Sequence, residues 1–298
     1  MLIQALYDQF FYHLKIKRRS PNTVNFYDVS RRTLQRFLDE LEIAADTDTL
    51  TVAHLRHFLV WLEERGLGPG GIHAHARAVK AVFNWGFKEE LLEKSPARRL
   101  ELPSFPKERQ PAVTNDITKT LLKACKATER PLRDTAIVLV LFDTGLRIQE
   151  LLELRVNQLH FDRGLLRVRG KGNKERYVPI GSKAMSGVAA YLRRERKPRH
   201  EGIQAVFLSR CGEPLTRAGA GIRLNKLAVA SGIKREDCAP HAFRRGFAVQ
   251  FLRNGGDVFT LQQIMGHSSL DMTRRYVTFL DDDLKTAHVS FSPIDHLR

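Results

Sequence analysis

The sequence predicts a mainly α-helical protein with one small β-sheet: an N-terminal helical bundle, a linker, and a larger α+β domain. Three observations carry this reading. Apolar residues recur at three- and four-residue spacing through most of the 298 residues. That period gives way to short strand-like runs only between residues 159 and 180. Near residue 100 the periodicity breaks altogether, where Pro96, Pro103, Pro106 and Pro111 fall in a polar, basic stretch that disfavours helix and ladder hydrogen bonds. The length suits two domains of ordinary size. The expected organisation is a helical domain over residues 1–99, a linker over 100–111, and a second domain with a C-terminal tail over 112–298.

In the first domain, Ile3, Leu6, Tyr7, Phe10, Phe11 and Leu14 form one apolar stripe, followed by the basic cluster Lys15, Lys17, Arg18 and Arg19. Ser20-Pro21 is a cap followed by a first-turn proline. It opens a second helix that carries Val24, Leu34, Phe37, Leu38 and Leu41, with Arg31 and Arg32 among them. A third begins near Thr51, carries Val52, Leu55, Phe58, Leu59 and Leu62, and stops at Gly66. After the loop GLGPGG a fourth runs from about Ile72, with Val79, Val82, Phe83 and Phe87 inward. His73 and His75 are spaced as some metal-dependent nicking enzymes space a ligand pair. On a helix, however, side chains two apart diverge, so packed or surface histidines are expected.

The second domain restarts as a helix over Thr114–Lys126, then a strongly apolar one, DTAIVLVLFDTG, expected to be buried on nearly all sides. Thr144-Gly145 turns the chain and places Arg147 at the start of a helix anchored by Leu151, Leu152 and Leu154. Strands are expected at 159–161, 165–169 and 176–180, with a turn at Gly170-Lys171-Gly172-Asn173. Helix resumes over 182–196 and, after 206–209, continues with breaks at Gly232, Pro240, Gly255-Gly256 and Gly266.

Composition narrows the function. Lys and Arg number 49 against 33 Asp and Glu, a formal charge of +16, which points to an acidic partner and first of all to nucleic acid. Cys125, Cys211 and Cys238 are odd in number and without a CxxC pair, against a disulfide framework or a structural zinc. Neither a membrane-length apolar run nor a signal-peptide pattern is present, so the expected location is the cytoplasm, with no membrane partner. No dinucleotide or Walker A motif appears, and no cofactor or metal is expected.

The chemistry concentrates in HAFRRGFAVQFLRNGGDVFTLQQIMGHSSLDMTRRY, residues 241–276. His241 and Arg244 lie one helical turn apart, His267 sits in a Gly-His-Ser turn, and Tyr276 follows nine residues later. Upstream, TGLRIQELLEL holds Arg147 and Glu150, and GKGNKERYVP holds Lys171. Attack on a phosphodiester needs an in-line nucleophile, cations for the non-bridging oxygens, and an acid for the leaving alkoxide. Arginine forks bind phosphate oxygens without a metal. A phenol, ordinarily titrating near ~10, attacks only with a base or strong positive potential beside it. Each signal also has a plain structural reading: Arg147 a surface ion pair with Glu150, Lys171 a solvated turn lysine, His267 a residue at a helix end, Tyr276 a packing aromatic.

Together these motifs resemble the tyrosine recombinases, the family of phage integrases and Xer resolvases, over about residues 112–280. TGLRIQELLEL is similar to the first arginine box, GKGNKERYVPI to the β-hairpin lysine motif, HAFRRGFA to the HxLRHxFA box, and LQQIMGHSSLDMTRRY to the last box. Phe243 and Arg245 stand where the family has Leu and His, and Gln149 where Ser is common. The ending VSFSPIDHLR is unlike the usual Xer tail, which leaves a mobile-element integrase open beside a chromosome resolvase.

The resemblance implies a DNA strand transferase. Tyr276 is the nucleophile that forms a 3′-phosphotyrosyl link. Arg147 and Arg244 hold the phosphate, with His241 and His267 bonded to it or moving protons, Lys171 protonating the leaving oxygen, and Glu150 in support. Recombination would run through a Holliday junction without ATP or metal. It would need double-stranded DNA and a tetramer on two DNA sites, formed by four copies or with a second recombinase. The helical N-terminal domain would act as a clamp on the duplex. Phe279, Leu280, Leu284, Val289 and Phe291 would dock on a neighbouring subunit or fold back. The rival readings are a type IB topoisomerase-like strand relaxase and a non-catalytic DNA-binding regulator on the same scaffold.

Overall fold

The computed structural model describes residues 1–104, 111–170, 175–267 and 269–277. The chain divides into two compact units, Met1–Glu108 and Arg109–Arg298. Mainly helical content with a three-stranded sheet is what the periodicity predicts.

The first unit holds α1 (Ile3–Ile16), α2 (Pro21–Glu40), α3 (Val52–Glu64) and α4 (Pro69–Lys88). Ser20 Oγ accepts from the Thr23 amide, with Pro21 in the first turn of α2. Thr51 Oγ1 accepts from the His54 amide while His54 Nδ1 accepts from the Thr51 amide, a capping box with histidine in the usual Glu position. Tyr7, Leu34, Phe37, Phe58, Val82 and Phe83 make the centre of one apolar core.

Two expectations about α4 are corrected. It starts at Pro69 rather than Ile72, because a first-turn proline lacks only an N–H that would have no helical partner there. Phe87 is exposed, since Gly86 holds the inward position of that turn. The two histidines do diverge: His73 Nδ1 lies 3.0 Å from the Pro103 carbonyl oxygen and His75 Nδ1 3.3 Å from Ser30 Oγ. Packing in this unit runs past residue 99, with Ala97 and Leu100 buried in the same core.

The second unit contains α5 (Asn115–Cys125), α6 (Pro131–Thr144) and α7 (Ile148–Glu153), then β1 (Leu159–His160), β2 (Leu165–Arg169) and β3 (Glu175–Pro179). After the sheet come α8 (Ser182–Arg194), α9 (Arg217–Ala230), α10 (Pro240–Arg253), α11 (Val258–Met265) and α12 (Leu270–Val277). The strands form an antiparallel meander in the order β1-β2-β3. Leu166 pairs with Val178 and Val168 with Arg176, which puts Arg176 on the same face as three buried aliphatic residues.

Helix α6 is less purely apolar than its sequence suggests. It begins at Pro131 and buries Arg133 and Asp134 at 1% exposure each. Arg133 Nε and Nη2 donate to Asp134 Oδ1 at 2.9 and 2.8 Å, and Nη1 donates to the Leu208 carbonyl at 3.0 Å. Burying two charges is tolerable only when they pair and bond in this way.

Residues 111–113, the next described after residue 104, are tied to α10. The Val113 amide donates to the Ala242 carbonyl at 3.0 Å, and Arg245 Nε donates to the Pro111 carbonyl at 2.6 Å. Among the described residues, no helix is long and apolar enough to cross a membrane.

Candidate active site

The site starts at the end of α6. Gly145 adopts a left-handed conformation (φ 61°), and an added Cβ there would sit 2.4 Å from Phe247 Cδ1. Both facts select glycine. The turn delivers Arg147 in extended conformation as the residue that caps α7.

Glu150, in the first turn of α7, is 5% exposed and accepts four hydrogen bonds. Oε1 accepts from Arg147 Nη1 at 3.0 Å and Arg176 Nη1 at 2.9 Å. Oε2 accepts from the Arg147 amide at 2.9 Å and Arg176 Nη2 at 3.0 Å. Burial opposes its ionisation, but the bonds from Arg176 and from the Arg147 amide prevail, and its pKa lies below the ordinary glutamate value. The ion pair between Arg147 and Glu150 that a structural reading anticipated is thus real, and it also orients the guanidinium.

Arg244 lies in α10, 5% exposed. Its Nη1 donates to the Gly145 carbonyl at 2.6 Å, and its Nη2 donates to the Met265 carbonyl at 2.8 Å and to His267 Nε2 at 2.9 Å. These bonds tie together the ends of α6, α10 and α11. Desolvation and the charge of Arg147 push its pKa down to about 10, still a cation at neutral pH.

His267 follows Gly266, whose left-handed conformation (φ 62°) ends α11. Burial first, then Arg244, Arg147 and Arg176, push the imidazole down to about 4, so it is neutral at physiological pH. A guanidinium only donates. His267 Nε2 therefore accepts, and the ring proton lies on Nδ1, which donates to Thr273 Oγ1 at 2.8 Å. The Tyr276 ring, partly buried on α12, stacks on this imidazole at 6.0 Å between centroids and 20° between planes.

His241 occupies the first turn of α10 and reaches solvent. Surrounding protein bulk and the charges of Arg245, Arg244, Arg217 and Arg147 still hold its pKa below the ordinary value.

The structure thus brings Arg147, Glu150, Arg244, His267 and Tyr276 into one neighbourhood, with His241 within reach of the same cations. Lys171 lies outside the described residues, as do the tail positions from Phe279 to Phe291 expected to dock. Two participants escaped the sequence reading. Arg176 binds Glu150 through both terminal nitrogens and donates from Nε to the Ile264 carbonyl at 3.1 Å. Its alternation with Val178 on a half-buried strand was a usable signal, because an inward charged residue needs a partner. Thr273 carried no such mark.

Fold and site together describe a two-unit, mainly helical protein whose arginines surround a neutral imidazole and a tyrosine, an arrangement suited to an oxyanion. Comparison with known proteins gives this class its family. The phage integrase family matches residues 112–282, and the phage integrase SAM-like domain matches residues 5–102. The tyrosine recombinase XerD of Listeria innocua is 30% identical over 297 residues, covering 97% of this chain and 98% of that protein. The tyrosine recombinase XerC of Xanthomonas axonopodis pv. citri is 32% identical over 287 residues, covering 92% of each. The fold is shared with a Tn1549 transposon integrase in complex with transposon right end DNA (TM-score 0.79, 20% identity, 98% of this chain and 100% of that one). It is shared also with the XerH site-specific recombinase bound to a palindromic difH substrate (TM-score 0.73, 21% identity, 91% and 80%). The chain belongs to the phage integrase family and is a site-specific recombinase of the Xer type, an enzyme of the tyrosine recombinase class.

Proposed function

We propose that this recombinase cuts and rejoins double-stranded DNA through Tyr276. The phenolic oxygen attacks a backbone phosphorus and displaces the 5′-oxygen, leaving a 3′-phosphotyrosyl ester and a free 5′-hydroxyl. Lys171 supplies the proton for the departing oxygen. A 5′-hydroxyl from the partner duplex then attacks the phosphotyrosine and releases Tyr276. One phosphoester replaces another at each step, so the reaction calls for neither ATP nor a metal. Two such exchanges, through a Holliday junction, recombine two sites.

Arg147 and Arg244 hold the non-bridging oxygens. Arg244 spends three of its N–H groups on the protein, which leaves its Nε–H and one Nη1–H for the phosphate. His241, which reaches solvent and whose pKa is lowered by desolvation and by the cations around it, hydrogen-bonds the phosphate or relays a proton. His267 has both ring nitrogens engaged and serves to orient Arg244.

The observation that carries this reading is the stacking of Tyr276 on His267, itself hydrogen-bonded to Arg244, which sets the phenol beside a phosphate-binding guanidinium. The charge of +16 supports DNA as the partner, as do the DNA-bound states of the XerH and Tn1549 integrase relatives in fold. On this reading the helical N-terminal unit grips the duplex, and the working form is a cytoplasmic tetramer on two sites, of four copies or with a second recombinase.

The test is covalent trapping on a nicked suicide duplex carrying the recombination site, selected from genomic fragments by binding. Wild-type protein should yield a covalent protein–DNA adduct and Tyr276→Phe none. An adduct with Tyr276→Phe, or none with wild type on a site it binds, overturns the assignment.

A further inference from the structure

Resting on that reading of Tyr276, we infer that Thr273 is a positioning residue that locks the tyrosine-bearing helix to the phosphate clamp. Thr273 is fully buried on α12, one helical turn before Tyr276, so the two side chains neighbour each other on one face. Both touch the same imidazole. Thr273 Oγ1 takes the Nδ1 proton of His267 at 2.8 Å along the ring edge, and the Tyr276 ring covers its face. The opposite nitrogen of that ring is held by Arg244 at 2.9 Å.

A continuous chain therefore runs from the guanidinium through the imidazole and the threonine hydroxyl to the turn that presents the phenol. Its direction is fixed by chemistry. Arg244 cannot accept a proton, so Nε2 must accept and Nδ1 must donate, and only an acceptor at position 273 completes the chain. Thr is suited to the place because its branched Cβ restricts χ1 and holds the oxygen in one orientation. Without that acceptor, a buried Nδ1–H loses its partner and α12 loses the bond that sets its rotation about its own axis. Displacement of a nucleophile by about 1 Å is enough to slow attack by roughly 100-fold.

The experiment compares wild type, Thr273→Val and Thr273→Ser in single-turnover cleavage of the nicked suicide duplex, with DNA affinity measured separately. Thr273→Val, nearly the same shape but with no acceptor, should bind DNA within about 2-fold of wild type and cleave roughly 10- to 100-fold more slowly. Thr273→Ser, which keeps the oxygen, should recover most of that rate. Nitrogen-15 shifts of the His267 ring in the wild-type protein should show the proton on Nδ1, a readout independent of whether Thr273→Val folds. Cleavage by Thr273→Val at the wild-type rate, or an Nε2-protonated ring in the wild type, overturns the inference while leaving Tyr276 as nucleophile. Absence of any adduct with wild-type protein counts against the Tyr276 reading itself.

Discussion

Replacing Glu150 by Gln is the sharpest probe of how this site is held. The carboxylate accepts four N–H bonds between 2.9 and 3.0 Å and is 5% exposed. An amide retains one accepting oxygen, and its NH₂ must face two of those donors, so about half of the bonds become donor against donor. Breaking a buried ion pair costs roughly 3–5 kcal/mol. Arg147 has a side chain 34% exposed, so water screens its share, and the lower end, about 3 kcal/mol, applies. For a unit of this size each kcal/mol moves the midpoint by about 2–4 °C, so the second unit should melt about 6–12 °C lower by calorimetry at pH 7. The sign with pH follows from the lowered carboxyl pKa. The stabilisation is complete above the unfolded value of about 4.3 and fades as pH falls through the folded one. The gap between wild type and Glu150→Gln should therefore stay constant from pH 8 to 6 and narrow in acid. A gap under about 1 °C at pH 7, or one that widens on acidification, would refute the reasoning.

The remaining predictions concern the two turns that frame the site. Gly145→Ala forces a left-handed alanine (φ 61°) with its Cβ 2.4 Å from Phe247. Strain and overpacking together should cost about 3 kcal/mol and lower both the melting midpoint and the cleavage rate; a midpoint equal to wild type would contradict it. His267, with a folded pKa of about 4 against an unfolded one near 6.5, stabilises the fold while neutral. That contribution is present above about pH 6.5 and is lost as pH falls toward 4, roughly 3 kcal/mol in all. Between pH 7 and pH 4.5, wild type should therefore lose about 2 kcal/mol more stability to acid than His267→Gln in urea unfolding, and equal losses would show that the imidazole is not held neutral.

Much of this architecture was legible in the chain because its signals are local. Ser20-Pro21 and Thr51 announce helix starts through their own side chains, and Gly145 and Gly266 announce ends through their backbone freedom. Arg147, Arg244, His267 and Tyr276 could be picked out together because their motifs resemble one family in order and spacing, and the fold does bring them into one neighbourhood. What escaped depends on contacts between distant segments. Arg176 meets Glu150 across 26 positions, and no period in either segment records that meeting. The burial of Arg133 beside Asp134 depends on the Leu208 carbonyl, 75 positions away. Thr273 is an ordinary polar residue on a short helix until His267 is placed against it. Phe87 was misplaced for a related reason: helical spacing allowed either of two adjacent inward positions, and Gly86 took the one that packs.

The attachment of residues 111 and 113 to α10 has a mechanical consequence. Through the Val113–Ala242 and Pro111–Arg245 bonds, the backbone at residues 111–113 is fastened to the helix that carries His241 and Arg244, on the turn that holds both. A displacement of residues 111–113 is therefore delivered to that helix before it reaches α5, the next element in the chain. Residues 111–113 are in this sense a drawstring, whose pull arrives at the turn bearing two of the side chains proposed to hold the phosphate.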